Sequence, residues 1–231
     1  MYRKENKYLI SSKNVIELTY RLKSILKLDK NVKNNDFYNV RSLYFDDAFD
    51  TSLNQVLDGV SYRYKYRIRY YNFDEDYIIL EKKYKENDLT KKISCRVTKE
   101  QVMNIINNKN LIINKNNPKL LNELYKMKKL YGLKPVIIVD YKRTPYIYRF
   151  GDIRITIDSD IYCSSDINNF FSQNIIRVPL NNNHESILEV KYNYILPDFI
   201  RYLLQFNEIT RSSFSKYKNS RLIIKNYNGG I

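Results

Sequence analysis

Tryptophan is absent from this 231-residue chain, histidine occurs once, cysteine twice and glycine five times. Each scarcity closes off a class of chemistry. The single histidine, His184, is flanked by an asparagine run and Glu185, and reads as a solvated loop residue rather than a catalytic base. Cys95 and Cys163 are lone thiols without CxxC spacing, so neither a disulfide framework nor a thiolate zinc site is indicated. Two of the five glycines lie in the tail Asn228-Gly229-Gly230-Ile231, and the others build neither a Walker-type loop nor a GxGxxG turn. Any bound phosphate must therefore be held mainly by side chains. No apolar run approaches the roughly eighteen residues of a membrane span. The opening Met1-Tyr-Arg-Lys-Glu lacks the apolar segment of a signal peptide, and a cytoplasmic location is expected.

Against these scarcities stand 40 Lys and Arg facing 25 Asp and Glu, a formal net charge of +15, with 43% hydrophobic residues. Apolar content at that level supports a substantial core, so the chain is globular, with a length suited to one large domain or two small ones. No internal repeat or domain boundary is visible, and residues 1–231 are expected to form one domain. The charge excess points to an anionic partner: nucleic acid, polyphosphate, nucleotide or an acidic membrane surface. Asn- and Lys-rich segments near 29–36, 107–117 and 181–183 read as surface loops.

Residues 61–70 alternate strictly, with Arg63, Lys65, Arg67 and Arg69 at odd positions and Tyr62, Tyr64, Tyr66, Ile68 and Tyr70 at even ones. Successive side chains of a strand point to opposite faces, so the four cations line up about 6.7 Å apart on one side. At an effective dielectric near 20, neighbours at that spacing oppose one another by roughly 2.5 kcal/mol unless water or an anion intervenes. A charged edge strand that blocks aggregation would show the same pattern.

Seven further candidate strands fall at 2–11, 38–46, 76–85, 89–97, 136–147, 152–161 and 186–195, and turn signals separate them. Helical patterns lie at 13–28, 47–57, 98–108, 118–131, 198–206 and 212–226, so the class is α+β. Charge gathers on one face of several strands: Arg3, Glu5 and Lys7; Glu81, Lys83 and Lys85; Lys92, Ser94 and Arg96; Arg154, Thr156 and Asp158; Glu189, Lys191 and Asn193. The opposite faces are largely apolar, as in Ile93, Cys95 and Val97, in Ile153, Ile155 and Ile157, and in Leu188, Val190, Tyr192 and Tyr194. Helices covering the apolar faces would leave the charged faces to meet one another. An eight-stranded antiparallel barrel with helices outside and a cationic interior satisfies this pattern. The alternative is an open sheet with one solvated face.

Arg forks and Lys point charges can hold a chain of phosphates with little other help, since phosphoryl transfer is mostly positioning and electrostatics. Glu5, Glu81 and Glu189 each begin a Glu-x-Lys step. A carboxylate amid phosphates suits Mg²⁺ or Mn²⁺, and the same step also makes an ordinary same-face ion pair.

The motifs Arg3-x-Glu5-x-Lys7, Ser42-Leu-Tyr-Phe-Asp46, Arg63-x-Lys65-x-Arg67-x-Arg69, Glu81-x-Lys83, Tyr141-Lys-Arg143-Thr, Arg154-Ile-Thr-Ile-Asp158, Leu188-Glu189-Val-Lys191 and Phe214-Ser-Lys216-Tyr217 follow in this order. As a set they resemble the VTC domain, the polyphosphate polymerase branch of the triphosphate tunnel enzymes, over nearly the whole chain. The resemblance implies an eight-stranded tunnel that transfers the terminal phosphate of ATP to a growing polyphosphate chain with Mn²⁺ or Mg²⁺. Lys7, Arg67, Arg69, Lys83, Arg143, Arg154 and Lys216 would act on the phosphates. Arg3, Arg63, Lys65, Lys92, Arg96 and Lys191 would add substrate contacts, and Glu189, with Glu5 and Glu81, would hold the metal. Arg3 stands where hydrolase relatives carry the first acid of Glu-x-Glu-x-Lys, which favours the polymerase branch. Val56 replaces a basic residue often found before Leu57-Asp58-Gly59.

A polyphosphate end supplies its own anionic nucleophile, so transfer needs no His, Cys or Ser base. A tripolyphosphatase or nucleoside triphosphatase on the same scaffold, and a non-catalytic polyphosphate sensor, are the alternatives. Specific nucleic-acid binding is disfavoured, because on the 61–70 strand tyrosines and arginines occupy opposite faces. Any membrane-protein partner would have to come from another chain.

Overall fold

Every expected strand and helix is present in the computed structural model, which describes residues 3–32, 36–180, 185–205 and 210–228. His184, the 181–183 asparagine run, positions 33–35 of the expected 29–36 loop, position 206 of the expected 198–206 helix, and Gly229, Gly230 and Ile231 lie outside the described residues. In chain order the elements are β1 (Arg3–Ile10), α1 (Ser12–Ile25), β2 (Lys27–Leu28), β3 (Tyr38–Asp46), α2 (Thr51–Leu57), β4 (Tyr62–Tyr71), β5 (Ile78–Glu86), β6 (Leu89–Val97), α3 (Lys99–Ile106) and α4 (Lys119–Tyr131). They continue with β7 (Lys134–Tyr148), β8 (Ile153–Ser164), β9 (Val178–Pro179), β10 (Ser186–Tyr192), α5 (Asp198–Leu203), β11 (Thr210–Arg211) and α6 (Lys216–Asn228). Local chemistry fixes the helix ends. Ser11 caps α1 by accepting from the Asn14 amide, Thr98 and Gln101 form a reciprocal capping box on α3, and α4 stops where Gly132 turns left-handed at φ 63°.

Eight long strands pair in the circuit β7-β3-β4-β5-β6-β1-β10-β8, and β8 returns to β7 to close a ring. All eight junctions are antiparallel. The β1–β6 junction is the thinnest, with only Arg3↔Thr90 and Lys4↔Leu89 in register. The two-residue strands β2, β9 and β11 extend β7, β8 and β1.

Two apolar clusters cover the outside of the ring. In the first, Tyr66, Ile68 and Tyr70 of β4 and Ile78 and Leu80 of β5 pack beneath Val102 and Ile105 of α3 and Leu121 and Leu124 of α4. In the second, Ile155 and Ile157 of β8 and Leu188 and Val190 of β10 pack beneath Leu18 and Leu22 of α1 and Ile200 of α5. From Tyr64 to Tyr70 the even positions of β4 thus face a core, whereas Tyr62 is 59% exposed, and the odd positions face the lumen. A third cluster lies on the lumen side, where Val40, Tyr44, Ile137, Val139, Ile161, Cys163 and Ile187 meet Leu53 of α2 and Tyr217 of α6. One part of the interior is therefore filled with apolar side chains and the rest is left to charge.

Helical cover is also incomplete on other strands where the alternation suggested it. Ile93 is 43% exposed because α3 and α4 reach β6 only toward Cys95 and Val97. Tyr194 lies beyond the end of β10 and is 71% exposed.

Candidate functional site

Strand register brings charges from seven strands, β1, β4, β5, β6, β7, β8 and β10, into one lumen. Across β3, β4 and β5, Arg69 stands opposite Ser42, Arg67 opposite Tyr44 and Glu81, Lys65 opposite Lys83, and Arg63 opposite Lys85. Lys83 continues to Lys92 on β6. On the other wall Lys7 faces Glu189, Glu5 faces Lys191, Lys191 faces Arg154, and Arg143 faces Asp158. Lys216, from the start of α6, completes the set.

Each lumen carboxylate holds at least two cations. Glu81, fully buried, takes Arg67 and Lys92 at 2.5 Å each. Glu5 takes Lys83 at 2.8 Å and Lys7 at 3.2 Å. Asp158 is forked by Arg143 at 2.6 and 2.7 Å and takes Lys216 at 2.6 Å. Glu189 takes Lys191 at 3.0 Å and Arg143 at 3.4 Å. Burial opposes these charges, but the cations overcome it. Asp158 is lowered to about 2, chiefly by Arg143 and Lys216, and Lys191 and Lys7 hold Glu189 well below the usual carboxylate range.

The cations outnumber those acids, and some are left with neutral partners. Arg69 donates to Ser42 Oγ at 2.9 Å and lies 5.9 Å from the Tyr141 ring. Lys65 sits 4.7 Å over the Tyr217 ring, and burial together with Lys7, Lys83 and Arg63 pushes it well below the ordinary lysine range. Arg154 donates to Asp29 and Tyr38, each at 2.8 Å, yet its buried Nε has no partner among the described residues. Thr156, two residues along the same face, has a buried hydroxyl in the same condition. Buried polar groups are nearly always hydrogen-bonded in working structures, so these two orphans mark a place for ligand or ordered water.

Three proposed contacts stand at the edge of this assembly. Arg96 donates to the Asp76 carbonyl at 2.8 Å and lies over Tyr77, Arg63 donates to the Val60 carbonyl, and Arg3 sits at the thin β1–β6 junction. Glu81 belongs with Arg67 and Lys92, whereas Glu5 and Glu189 share Lys191, at 3.9 and 3.0 Å. No group of three His, Cys, Asp or Glu side chains able to hold a metal gathers among the described residues. Mg²⁺ bound with phosphorylated substrates commonly uses one or two carboxylates and fills its shell with water and phosphate oxygens. The pair Glu5 and Glu189 fits that demand.

Tyr44 and Asp158 also belong to the lumen site, beyond the residues the sequence motifs single out. The Tyr44 hydroxyl accepts from Arg67 at 3.3 Å; although burial opposes ionisation, Arg67, Arg69 and Lys216 lower its pKa to about 8. Asp158 closes the motif beginning at Arg154, and its signal was an acid on the same strand face as Arg154 and Thr156. Asp46, in the same motif as Tyr44, is structural. It accepts from the Ser52 and Leu53 amides at 2.8 and 3.1 Å and from the Tyr217 hydroxyl, tying α2 and α6 together.

A closed antiparallel ring with a cation-lined lumen is a triphosphate-tunnel-like fold. The VTC domain model matches residues 2–225, and the chain belongs to that family. The PH1819 protein of Pyrococcus horikoshii OT3 shares the fold, with a TM-score of 0.50 and 11% identity over 97% of this chain and 99% of that one. A candidate adenylate cyclase of Bacillus halodurans aligns with a TM-score of 0.47 and 12% identity, covering 98% of this chain and 89% of that one. No curated protein sequence matches the chain.

Proposed function

We propose that the protein is a polyphosphate polymerase, which transfers the terminal phosphate of ATP to the end of a growing polyphosphate chain. The observation that carries this reading is the surplus of lumen cations over carboxylates, with Arg69, Lys65 and the Arg154 Nε free to take phosphate oxygens. A terminal polyphosphate oxygen attacks the γ-phosphorus of ATP. The bond from that phosphorus to the β-bridging oxygen breaks, and ADP leaves. Arg67, Arg69, Arg143, Arg154, Lys7, Lys83 and Lys216 position the anions and offset the charge that builds on the transferring group. A divalent cation, Mn²⁺ or Mg²⁺, would be held by Glu189 and Glu5 and would supply further charge neutralisation. The polymer end provides its own nucleophilic oxygen, so the lumen needs only to hold two anions in line.

No helix among the described residues is long and apolar enough to cross a membrane. We place the activity in the cytoplasm, with any membrane partner on another chain.

The test incubates purified protein with ATP and Mn²⁺, with and without pyrophosphate as primer, and separates the products on a gel. Long-chain polyphosphate with matching ADP is expected. ADP and free phosphate with no polymer under any primer condition would move the protein to the hydrolase reading.

A further inference from the structure

We propose that a second site, on the outer face of the β3–β7–β8 wall and separate from the lumen, binds a nucleoside monophosphate. A cavity of about 300 Å³ opens there, at the small end of the range for ligand pockets. Its position behind the sheet follows from register. Arg41 pairs with Asp140 and Asp140 with Tyr162, on the face opposite Ser42 and Arg143.

Three features converge on this cavity. The first is a buried charged floor. Arg41 forks Asp140 at 2.8 and 2.9 Å and gives its remaining nitrogen to the Phe170 and Ser172 carbonyls, so four of its five N–H donors are engaged within the protein. Asp140 has used one lone pair on each oxygen and keeps the others as acceptors for a ligand N–H.

The second feature is an uncompensated cation. Lys142 is neutralised by Asp160 at 2.7 Å, but Arg177 lies 5.4 Å over the Tyr162 ring with no carboxylate within salt-bridge distance among the described residues. The lining therefore carries one surplus positive charge beside an aromatic platform.

The third feature is backbone strain. Asn72, Phe73 and Asp160 all line the cavity in the left-handed region, at φ 50°, 58° and 49°. Among the described non-glycine residues at positive φ, Phe73 alone is neither Asn nor Asp. A bulky residue held there is a genuine outlier, and such outliers cluster at ligand sites. The β7–β8 register also shifts between Asp140 and Lys142, and bulges of this kind re-aim side chains beside binding sites.

The ligand chemistry follows from these parts. One surplus cation suits a single anionic group, whereas a polyphosphate would require several. Two aromatic residues suit a planar ring, and the Asp140 acceptors suit an amino or imino N–H on it. Orthophosphate would use only Arg177, and a nucleoside would leave Arg177 unused. A mononucleotide uses all of them.

Isothermal titration calorimetry with AMP, GMP, adenosine and orthophosphate tests the proposal in an Arg69→Ala background, which weakens lumen binding. One-to-one binding of AMP or GMP is expected, with affinity at least about tenfold above adenosine and orthophosphate, since a charge-assisted contact is worth about a tenfold change or more. Arg177→Ala, a change at an exposed residue, should reduce that affinity about tenfold. Tyr162→Leu should also reduce it while circular dichroism shows the fold kept. The proposal is overturned if neither nucleotide binds saturably, if orthophosphate binds as well as AMP, or if both cavity variants bind like their parent. Nucleotide binding present in the unmodified protein but lost in the Arg69→Ala background would assign it to the lumen and also overturn the proposal. Polymer synthesis is assayed separately, so either reading can fail without the other.

Discussion

Arg67 and Arg69 are two residues apart on the same face of β4, yet their truncation should affect stability very differently. Arg67 donates to Glu81, whose side chain is fully buried, and is itself 15% exposed. Arg67→Ala leaves that carboxylate with Lys92 alone, an ammonium 49% exposed and therefore partly screened. Breaking a buried pair from one side costs about 3–5 kcal/mol, because the abandoned charge stays desolvated. The retained Lys92 places the cost at the lower end, about 3 kcal/mol. Arg69 makes no salt bridge among the described residues, and Arg69→Ala gives up one hydrogen bond to Ser42 and a longer-range attraction to Glu81 while relieving the repulsion between Arg69 and Arg67. The net cost should be within about 1 kcal/mol.

Acid sharpens the difference. Burial raises the Glu81 carboxyl, but Arg67, Arg69 and Lys92 together hold it well below the usual carboxylate range. A carboxylate depressed on folding adds stability that is fully present above its unfolded pKa and is lost as pH falls through its folded value. With Arg67 gone the folded value moves up, so the variant should lose stability at milder acidity than its parent. Urea unfolding followed by circular dichroism at pH 7 and at pH 4 measures both effects, and the absence of tryptophan makes the backbone signal the natural probe. Adding Glu81→Gln to Arg67→Ala should restore part of the loss by removing the stranded charge. The reasoning is refuted if Arg67→Ala is no less stable than Arg69→Ala, or if the added Glu81→Gln restores nothing.

Four further outcomes are expected. Glu189→Gln should remove most metal-dependent turnover and also lower the melting temperature, because Lys191 and Arg143 lose a buried carboxylate partner; retained activity would take the metal from that carboxylate. Tyr66→Ala should destabilise by about 3–4 kcal/mol in urea titrations, because it empties a buried ring position and removes the hydroxyl that Glu123 accepts from. Tyr44 should ionise near pH 8 in a tyrosinate absorbance titration; the phenolate adds negative charge to the lumen, so tripolyphosphate affinity should fall as pH rises through that value, and Tyr44→Phe should abolish both steps. Tripolyphosphate at a hundredfold excess over its Kd should add about 2.7 kcal/mol of stability, and an oligonucleotide giving equal protection at physiological salt would place the binding cations outside the ring.

Alternation made the ring legible, because a strand whose odd positions are all cationic must turn its tyrosines and isoleucines to a core. Ion pairing was only half legible. The steps Glu5-x-Lys7 and Glu189-x-Lys191 form the same-face pairs that spacing suggests, at 3.2 and 3.0 Å. Glu81-x-Lys83 does not, since Glu81 turns to Arg67 and Lys92 while Lys83 reaches Glu5. Those partners depend on register between strands far apart in sequence, which periodicity within a strand does not encode. The lumen positions of α2 and α6 were hidden for a related reason. An amphipathic helix reports that it has an apolar face, not which side of a sheet receives it. The outer cavity depends on left-handed Asn72 and Phe73 and on the β7–β8 register shift, and none of these leaves a mark in hydrophobic periodicity.

The pairing scheme also orders events for an incoming polyanion. Most lumen cations are already matched, so engaging Arg67, Lys92, Lys7 or Arg143 sets substrate phosphate against Glu81, Glu5 or Asp158. Arg69 and Lys65 have no salt-bridged acid among the described residues, and Arg154, though paired with Asp29, keeps its Nε without a partner. A polyphosphate end should therefore dock first on these groups and draw the matched cations from their acids only as further phosphates enter. Each matched cation returns less net energy than an unmatched one, because an existing pair is loosened as the new one forms. Affinity should consequently rise steeply over the first few phosphates and then flatten with chain length. A titration of pyrophosphate, tripolyphosphate and longer chains measures this directly, and affinity climbing by a constant factor per added phosphate would show that the carboxylates offer no competition.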